Sequence, residues 1–200
     1  MKIRLILPAV GAVLVAGVIG TAAATAHGRL AKATIAAADG SPLGTVEFRT
    51  ERGHLQVRAR LTGAPGVEAF HGFHIHANDV PANGDGCIAD AAAAPSTWFA
   101  SADGHYNPAG VTHAHHAGDM PVMYVSADGT AEARFQMDRV DPGGLDGKVV
   151  IFHAGADNYA NVPLGSSATQ YTANSTDATA ATARTGNAGD RLGCGVITER

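Results

Sequence analysis

The chain has 200 residues, 46% of them hydrophobic, enough for one domain with a substantial core. Only 16% are charged, the formal net charge is −4, and no basic stripe is visible, which excludes nucleic acid as an expected partner. Gly, Ala, Ser and Thr are abundant, which favours a loop-rich β architecture over a helical bundle.

The first 26 residues have their own pattern. Lys2 and Arg4 form a short positive region, Leu5 to Ile19 is apolar apart from Gly and one Pro, and Ala24-Thr25-Ala26 fits an A-x-A cleavage site. This predicts a secretory signal peptide over 1–26 and one mature domain over 27–200. A membrane anchor is the competing reading, but the apolar run is short for a span and small residues follow it. No cysteine follows the run, which argues against a lipoprotein anchor. Without Lys2 and Arg4 the balance is 12 basic against 18 acidic residues, a net of −6. The expectation is a secreted, periplasmic or cell-envelope protein with no stable membrane insertion after cleavage. Its two cysteines, Cys87 and Cys194, would then form one disulfide.

Beyond residue 26, apolar or alternating runs are broken by turn residues. Strands are predicted at Ala31 to Ala38, Thr45 to Thr50, His54 to Leu61, Ala69 to Ala77, Met120 to Ser126, Thr130 to Met137, Lys148 to His153 and Gly195 to Thr198. The clearest alternation puts Leu55, Val57, Ala59 and Leu61 on one face. Ala127-Asp128-Gly129 reads as a hairpin turn. Eight short strands with turns between them indicate an all-β sandwich or barrel. Residues 78–119 and 155–190 are two long connections, and such loops in a small domain are usually functional.

Seven of the ten histidines cluster in GFHIH (Gly72 to His76), GHYNP (Gly104 to Pro108), HAHHAGD (His113 to Asp119) and VVIFHAGAD (Val149 to Asp157). Imidazole nitrogen and carboxylate oxygen are standard metal ligands. An isolated H-x-H is more often a pair of solvent-facing rings on a sheet. Here His74 and His76 share a strand face, and His153 ends another strand that could close on them. His105, His113, His116 and Asp119 supply three nitrogens and a carboxylate, a tetrahedral zinc set. His74, His76, His105 and His153 supply four nitrogens, which suits tetragonal Cu(II). The two nitrogens of one imidazole could bridge both metals. Composition alone does not choose between His115 and His116.

With GFHIH, GHYNP, HHAGD, FHAGAD and TGNAGDRLGCGVI (Thr185 to Ile197), the chain resembles an exported copper/zinc superoxide dismutase of bacterial type, from about Ala31 to Ile197. The resemblance implies an eight-stranded Greek-key β-barrel or sandwich with two functional loops. It implies dismutation of superoxide at a redox-cycling copper, bridged through His105 to a structural zinc. Copper would be held by His74, His76, His105 and His153, and zinc by His105, His113, His116 and Asp119. The family's H-x-G-D spacing selects His116 and leaves His115 facing solvent. Asp157 matches an aspartate linking a copper histidine to a zinc histidine, here His74 and His113. Arg191 matches the arginine that guides the anion, and Thr185 a residue of the access channel. Cys87 and Cys194 match the intrasubunit disulfide, and His71 a structural histidine.

Some features depart from the family. HIHAND carries Asp79 where Gly is usual, Ile88 to Gly104 is longer than in eukaryotic enzymes, and the loop after Asp157 is poor in Lys and Glu. None removes a ligand. Two other classes compete: a non-enzymatic extracytoplasmic copper/zinc-binding protein on the same scaffold, and a purely structural secreted sandwich. The first should lack a copper ligand or the guiding Arg, and the second has no reason to assemble seven ligands. Trp98, Phe99 and Tyr106 are candidates for an apolar patch in a homodimer, or equally for packing over the core.

Overall fold

The computed structural model describes residues 28, 30–51, 53–64, 69–159 and 176–199. The expected signal peptide lies outside these residues. Among the described residues no helix is long and apolar enough to cross a membrane.

Among the described residues nine strands form: β1 Leu30–Ala36, β2 Pro42–Glu51, β3 His54–Leu61, β4 Ala69–His71, β5 Phe73–His76, β6 Met123–Val125, β7 Ala131–Met137, β8 Val149–His153 and β9 Arg191–Glu199. Seven make an antiparallel sheet in the order β5-β8-β9-β1-β2-β3-β7, and β4 pairs with β6 in a ribbon. The ribbon lies between the sheet's two ends, because β4 runs directly into β5 and β6 contacts β7. Counting β4 and β5 as one bent strand restores the eight strands of the expected all-β barrel.

Period-two alternation builds the interior. Leu55, Val57, Ala59 and Leu61 of β3 are all buried, facing Ala31, Ala33 and Ile35 of β1 and Val46 and Phe48 of β2 in one core. Each large side chain removed from water in this way contributes about 1.5–3 kcal/mol. Strand β8 differs, being buried along its whole length. Val150 and Phe152 enter the main core, while Val149 and Ile151 pack outward against Phe99, Ala102 and Cys194. A strand covered on both faces reads as a continuous apolar run, which VVIFH is. Its cover is the 78–119 connection, which carries three short 3-10 turns at Pro81–Asn83, Pro95–Thr97 and Ala100–Ala102.

Four boundaries differ from expectation. The predicted Ala69 to Ala77 strand breaks at Gly72, whose amide turns to the carbonyl of Gly155, so its halves join different sheets. The Ala127-Asp128-Gly129 turn forms, with Ser126 N–H on the Thr130 carbonyl at 2.8 Å, but β6 and β7 pair with different partners. The last strand begins at Arg191, not Gly195. Its glycines read as loop signals, yet a Cβ on Gly195 would lie 2.5 Å from the Thr34 carbonyl oxygen, so the strand needs glycine for backbone approach. Finally, the second long connection contains a helix, α1, Thr176–Thr185. Alanines favour it, Asp177 and Arg184 suit its dipole, and Gly186 at φ +63° ends it.

The three aromatic candidates for a dimer patch turn inward. Phe99 is buried, Trp98 is half-buried with its indole N–H on the Asp90 and Ala93 carbonyls, and Tyr106 packs on the main core.

Cys87 and Cys194 are bonded, tying the 78–119 connection to β9 across 107 positions. Closing a loop of this length restricts the unfolded chain by about 4–5 kcal/mol. The Cys87→Ser, Cys194→Ser double variant should lose up to that amount in urea unfolding of the metal-free protein. An unchanged midpoint would show that the bond contributes nothing to stability.

Candidate metal centre

The site lies on the outer face of the barrel, beneath the 78–119 connection. Phe73 and Ile75 of β5 enter the core, so His74 and His76 point the other way. The connection returns twice to the free edge of β5. Tyr106 N–H bonds the Ile75 carbonyl at 2.8 Å, and Ile75 N–H bonds the Gly118 carbonyl at 2.8 Å. These contacts set His105 opposite His76 and Asp119 opposite His74 as isolated β-bridges. A Cβ on Gly118 would sit 2.2 Å from the Ile75 oxygen, so only glycine permits the approach that carries Asp119 in. On the other side, β8 delivers His153 past an irregularity in its pairing with β9 that sets His153 against Arg191.

His74, His76, His105 and His153 form one buried group whose ligand atoms all lie within 4.8 Å of one another. Each ring is fixed through one nitrogen. His76 Nδ1 meets the Asp103 carbonyl at 2.9 Å, His153 Nδ1 meets the Gly189 carbonyl at 3.1 Å, and His74 Nε2 meets Asp157 Oδ2 at 2.8 Å. The remaining atoms, His74 Nδ1 and the Nε2 of His76, His105 and His153, are buried without a hydrogen-bond partner. Four orphaned acceptors facing one another in the interior are costly unless a cation sits among them.

A second group centres on Asp119. Its Oδ1 lies 2.8 Å from His105 Nδ1, 3.2 Å from His113 Nδ1 and 3.2 Å from His116 Nδ1. His105 Nδ1 and His116 Nδ1 are 3.2 Å apart. Four ligands at zinc bond lengths of about 2.0–2.1 Å in a tetrahedron are separated by about 3.3 Å, so this set fits zinc. By proximity His74 also stands with His105, His113 and Asp119, their ligand atoms all within 4.8 Å of one another. His116 is the better fourth member, because His74 already commits Nε2 to Asp157 and turns Nδ1 to the other group. His113 is held from outside by its N–H on the Ala183 carbonyl of α1, and Tyr159 stacks on its ring. His115 is exposed, while His71 is buried with Nδ1 on the His153 carbonyl. Asp157 reaches His74 directly, and its Oδ2 stands 3.7 Å from His113 Nε2.

Arg191 donates to the carbonyls of Phe99 and Asp103. With Thr185, Arg184, Gly189, Asp103 and Asp190 it lines a cleft of about 470 Å³. Gly189 and Asp103 are the carbonyl partners of His153 and His76, so the cleft abuts the four-histidine group. Sequence reading missed Arg184, a second cation at this mouth, and Asp103. Arg184 lies in TDATAATART, whose helical composition was the available signal. For Asp103 the only signal was its position two residues before His105.

Burial, reinforced by neighbouring rings, holds His74 and His76 well below the usual histidine range, and holds His153 down at about 3. Burial raises Asp119, but hydrogen bonds from His105 and His113 outweigh it and keep the carboxylate far below its usual range. Burial pushes Asp157 up to about 6. Unfolded histidines take protons near pH 6.5, so between 6.5 and 3 the unfolded chain binds more protons than the folded one. The metal-free protein should therefore lose stability as pH falls through that window. Asp157 opposes this between 3.8 and 6, as one group against four histidines, since burial lowers His105 as well. Thermal unfolding of the metal-free protein should show the midpoint falling steadily from pH 6.5 to 4, and a flat profile would mean that the rings are solvated.

The family model for copper/zinc superoxide dismutase (SODC) matches residues 43–197. The Cu-Zn superoxide dismutase of Mycobacterium tuberculosis is 35% identical over 170 residues, covering 82% of this chain and 68% of that protein. The enzyme of the same name from Photobacterium leiognathi is 28% identical over 166 residues, covering 79% of this chain and 80% of that protein. Among solved structures, the clock protein EA4 superposes with a TM-score of 0.60 at 24% identity, over 86% of this chain and 95% of that one, a likeness of fold alone. The family match runs from β2 into β9 and takes in both histidine groups, so the chain belongs to the copper/zinc superoxide dismutase family.

Proposed function

We propose that this chain dismutes superoxide to oxygen and hydrogen peroxide at a copper held by His74, His76, His105 and His153, beside a zinc held by His105, His113, His116 and Asp119. Its family makes it an oxidoreductase acting on superoxide, with copper and zinc as cofactors. The observation that carries the residue assignment is the His105 ring. Its Nδ1 lies among the acceptors around Asp119, and its Nε2 is one of four orphaned nitrogens on the other side.

When bound, copper supplies the one-electron couple and zinc a fixed positive charge. The residues do the rest. Backbone carbonyls at 103 and 189 and the Asp157 carboxylate hold protons on the outward nitrogens of His76, His153 and His74, which fixes their tautomers. Two superoxides and two protons yield one oxygen and one peroxide, so protons must arrive at the reacting face. His105 Nε2 is the atom placed to hold one there. The non-enzymatic alternative is not favoured, because the ligand groups are complete and Arg191 lines the adjoining cleft. We also read the protein as exported, since a single disulfide with no free cysteine suits an oxidising compartment.

Elemental analysis after reconstitution should give one copper and one zinc per chain. His153→Ala should abolish dismutation while retaining zinc and fold. Zinc occupancy unchanged in a His116→Ala, Asp119→Ala double variant would sink the zinc assignment.

Arg191 bears on rate. The chain is acidic and its substrate is an anion, so the mean field is repulsive, and local positive focusing can alter on-rates by roughly 10- to 1000-fold. Superoxide dismutase is itself among the systems from which that range comes. Arg191→Ala should lower the second-order rate by about tenfold or less, and Arg191→Glu further, with metal content unchanged. Added salt should slow the wild type and speed Arg191→Glu. Equal rates and equal salt slopes in all three proteins would make Arg191 an ordinary surface charge.

A further inference from the structure

Asp103 has no part in either ligand group, yet its carbonyl and carboxylate together accept five hydrogen bonds beside them. It is buried, and its backbone sits at φ 62° and ψ −152°, a region that essentially only glycine enters freely. Its carbonyl accepts from His76 Nδ1 at 2.9 Å and from the Arg191 guanidinium at 2.5 Å. Its carboxylate faces the turn that follows β5. There Oδ2 accepts from the N–H groups of Asp79 at 2.7 Å and Val80 at 2.8 Å, and Oδ1 accepts from Asn83 Nδ2 at 2.7 Å.

A residue with a Cβ in this conformation relaxes by rotating its peptide planes unless something holds it. Rotation about Asp103 would swing the carbonyl away from His76 and Arg191 together. The three bonds to the carboxylate resist that rotation, because they fasten the side chain to a turn that is itself pinned. Asn78 holds the same turn by accepting from Gly86 N–H and donating to the Gly147 carbonyl.

We propose that the Asp103 carboxylate is a positioning group that holds the residue 103 carbonyl on His76 and Arg191, so that one anchor sets both the orientation of a copper ligand and the seat of the anion guide. This rests on the reading of His76 as a copper ligand and Arg191 as the guide. The carboxylate also adds a negative charge to the cleft wall, and its two effects oppose each other. Removing the charge favours an incoming anion, whereas removing the tether misplaces the groups that receive it.

Two substitutions separate these effects in the copper- and zinc-loaded protein. Asp103→Asn removes the charge, keeps an oxygen for Asp79 and Val80, and offers an amide to which Asn83 can turn its own oxygen. Asp103→Ala removes charge and tether together. The readouts are metal content, the Cu(II) electron paramagnetic resonance spectrum, azide affinity followed by the copper absorption band, and the superoxide rate. Asp103→Ala is expected to keep both metals, to shift the Cu(II) hyperfine pattern, and to lose about tenfold in azide affinity and in rate, the scale on which partners of metal ligands act. Asp103→Asn is expected to keep the wild-type spectrum and to bind azide at least as tightly as the wild type. Asn83→Ala, which releases Oδ1 without touching the strained residue, should shift the spectrum in the same direction as Asp103→Ala and decides the matter if Asp103→Ala does not fold. Wild-type spectra in both alanine variants, or Asp103→Asn behaving as Asp103→Ala does, would overturn the proposal. A wild-type copper signal indifferent to azide and to His76→Ala would instead overturn the copper assignment beneath it.

Discussion

The position of the His105 ring is the constraint on which the rest of the site depends. One imidazole must present Nδ1 to the acceptors around Asp119 and Nε2 to three other rings, so small displacements would break one group or the other. No side-chain contact could fix a ring that tightly alone. The backbone does it, because residues 104–106 lie along the free edge of β5 and borrow its hydrogen bonds, and residues 118–120 do the same from further along the chain. The edge of a sheet is usually a liability to be covered. Here the cover is the connection that carries His105, His113, His116 and Asp119, and the sheet acts as its template.

Two further ties keep that loop down. The Cys87–Cys194 bond fastens it to β9, and Phe99 and Ala102 pack with Cys194 on the outer face of β8. Strand β8 thus serves three purposes. It fills the barrel with Val150 and Phe152, seats the loop with Val149 and Ile151, and ends in His153. Helix α1 adds a brace through the Ala183 carbonyl, which holds His113 from behind and places Arg184 and Thr185 over the cleft. Stability and candidate chemistry are not partitioned into separate parts of this molecule, since the wholly buried β8 ends in His153.

Much of this was legible in the sequence, because local rules decide it. The alternation in β3 reports a half-buried strand, the continuous run in β8 reports one covered twice, and H-x-H on a strand puts two rings on one side. The candidate ligands were named from family motifs, since spacing alone left His115 and His116 undecided. What resisted reading was non-local. The break at Gly72 comes from a hydrogen bond to Gly155, more than eighty positions away. The extension of β9 back to Arg191 runs through glycines that look like loop residues, of which Gly195 is demanded by a neighbouring backbone and Gly193 by the packed side chains of Leu43 and Ile35. The helix in the second connection was hidden by Thr and Asn around it. Asp103 gave no signal, because its importance lies in a carbonyl, which every residue possesses, and in an unusual backbone angle, which sequence does not display.

The same geometry that makes the site suited to metal makes it a burden on the fold without metal. Four unpaired nitrogens face one another in the interior, and burial forbids them the protons that would satisfy them singly. A cation turns each of those orphaned lone pairs into a bond. Metal binding free energy is therefore in part folding free energy. The disulfide and the backbone ties along β5 are what let the groups stay assembled until a metal arrives, since they act on the chain whether or not the ligands are occupied. That ordering suits a protein whose candidate ligands come from four separated segments, because the 78–119 connection, which carries His105, His113, His116 and Asp119, must be folded onto β5 before the site exists.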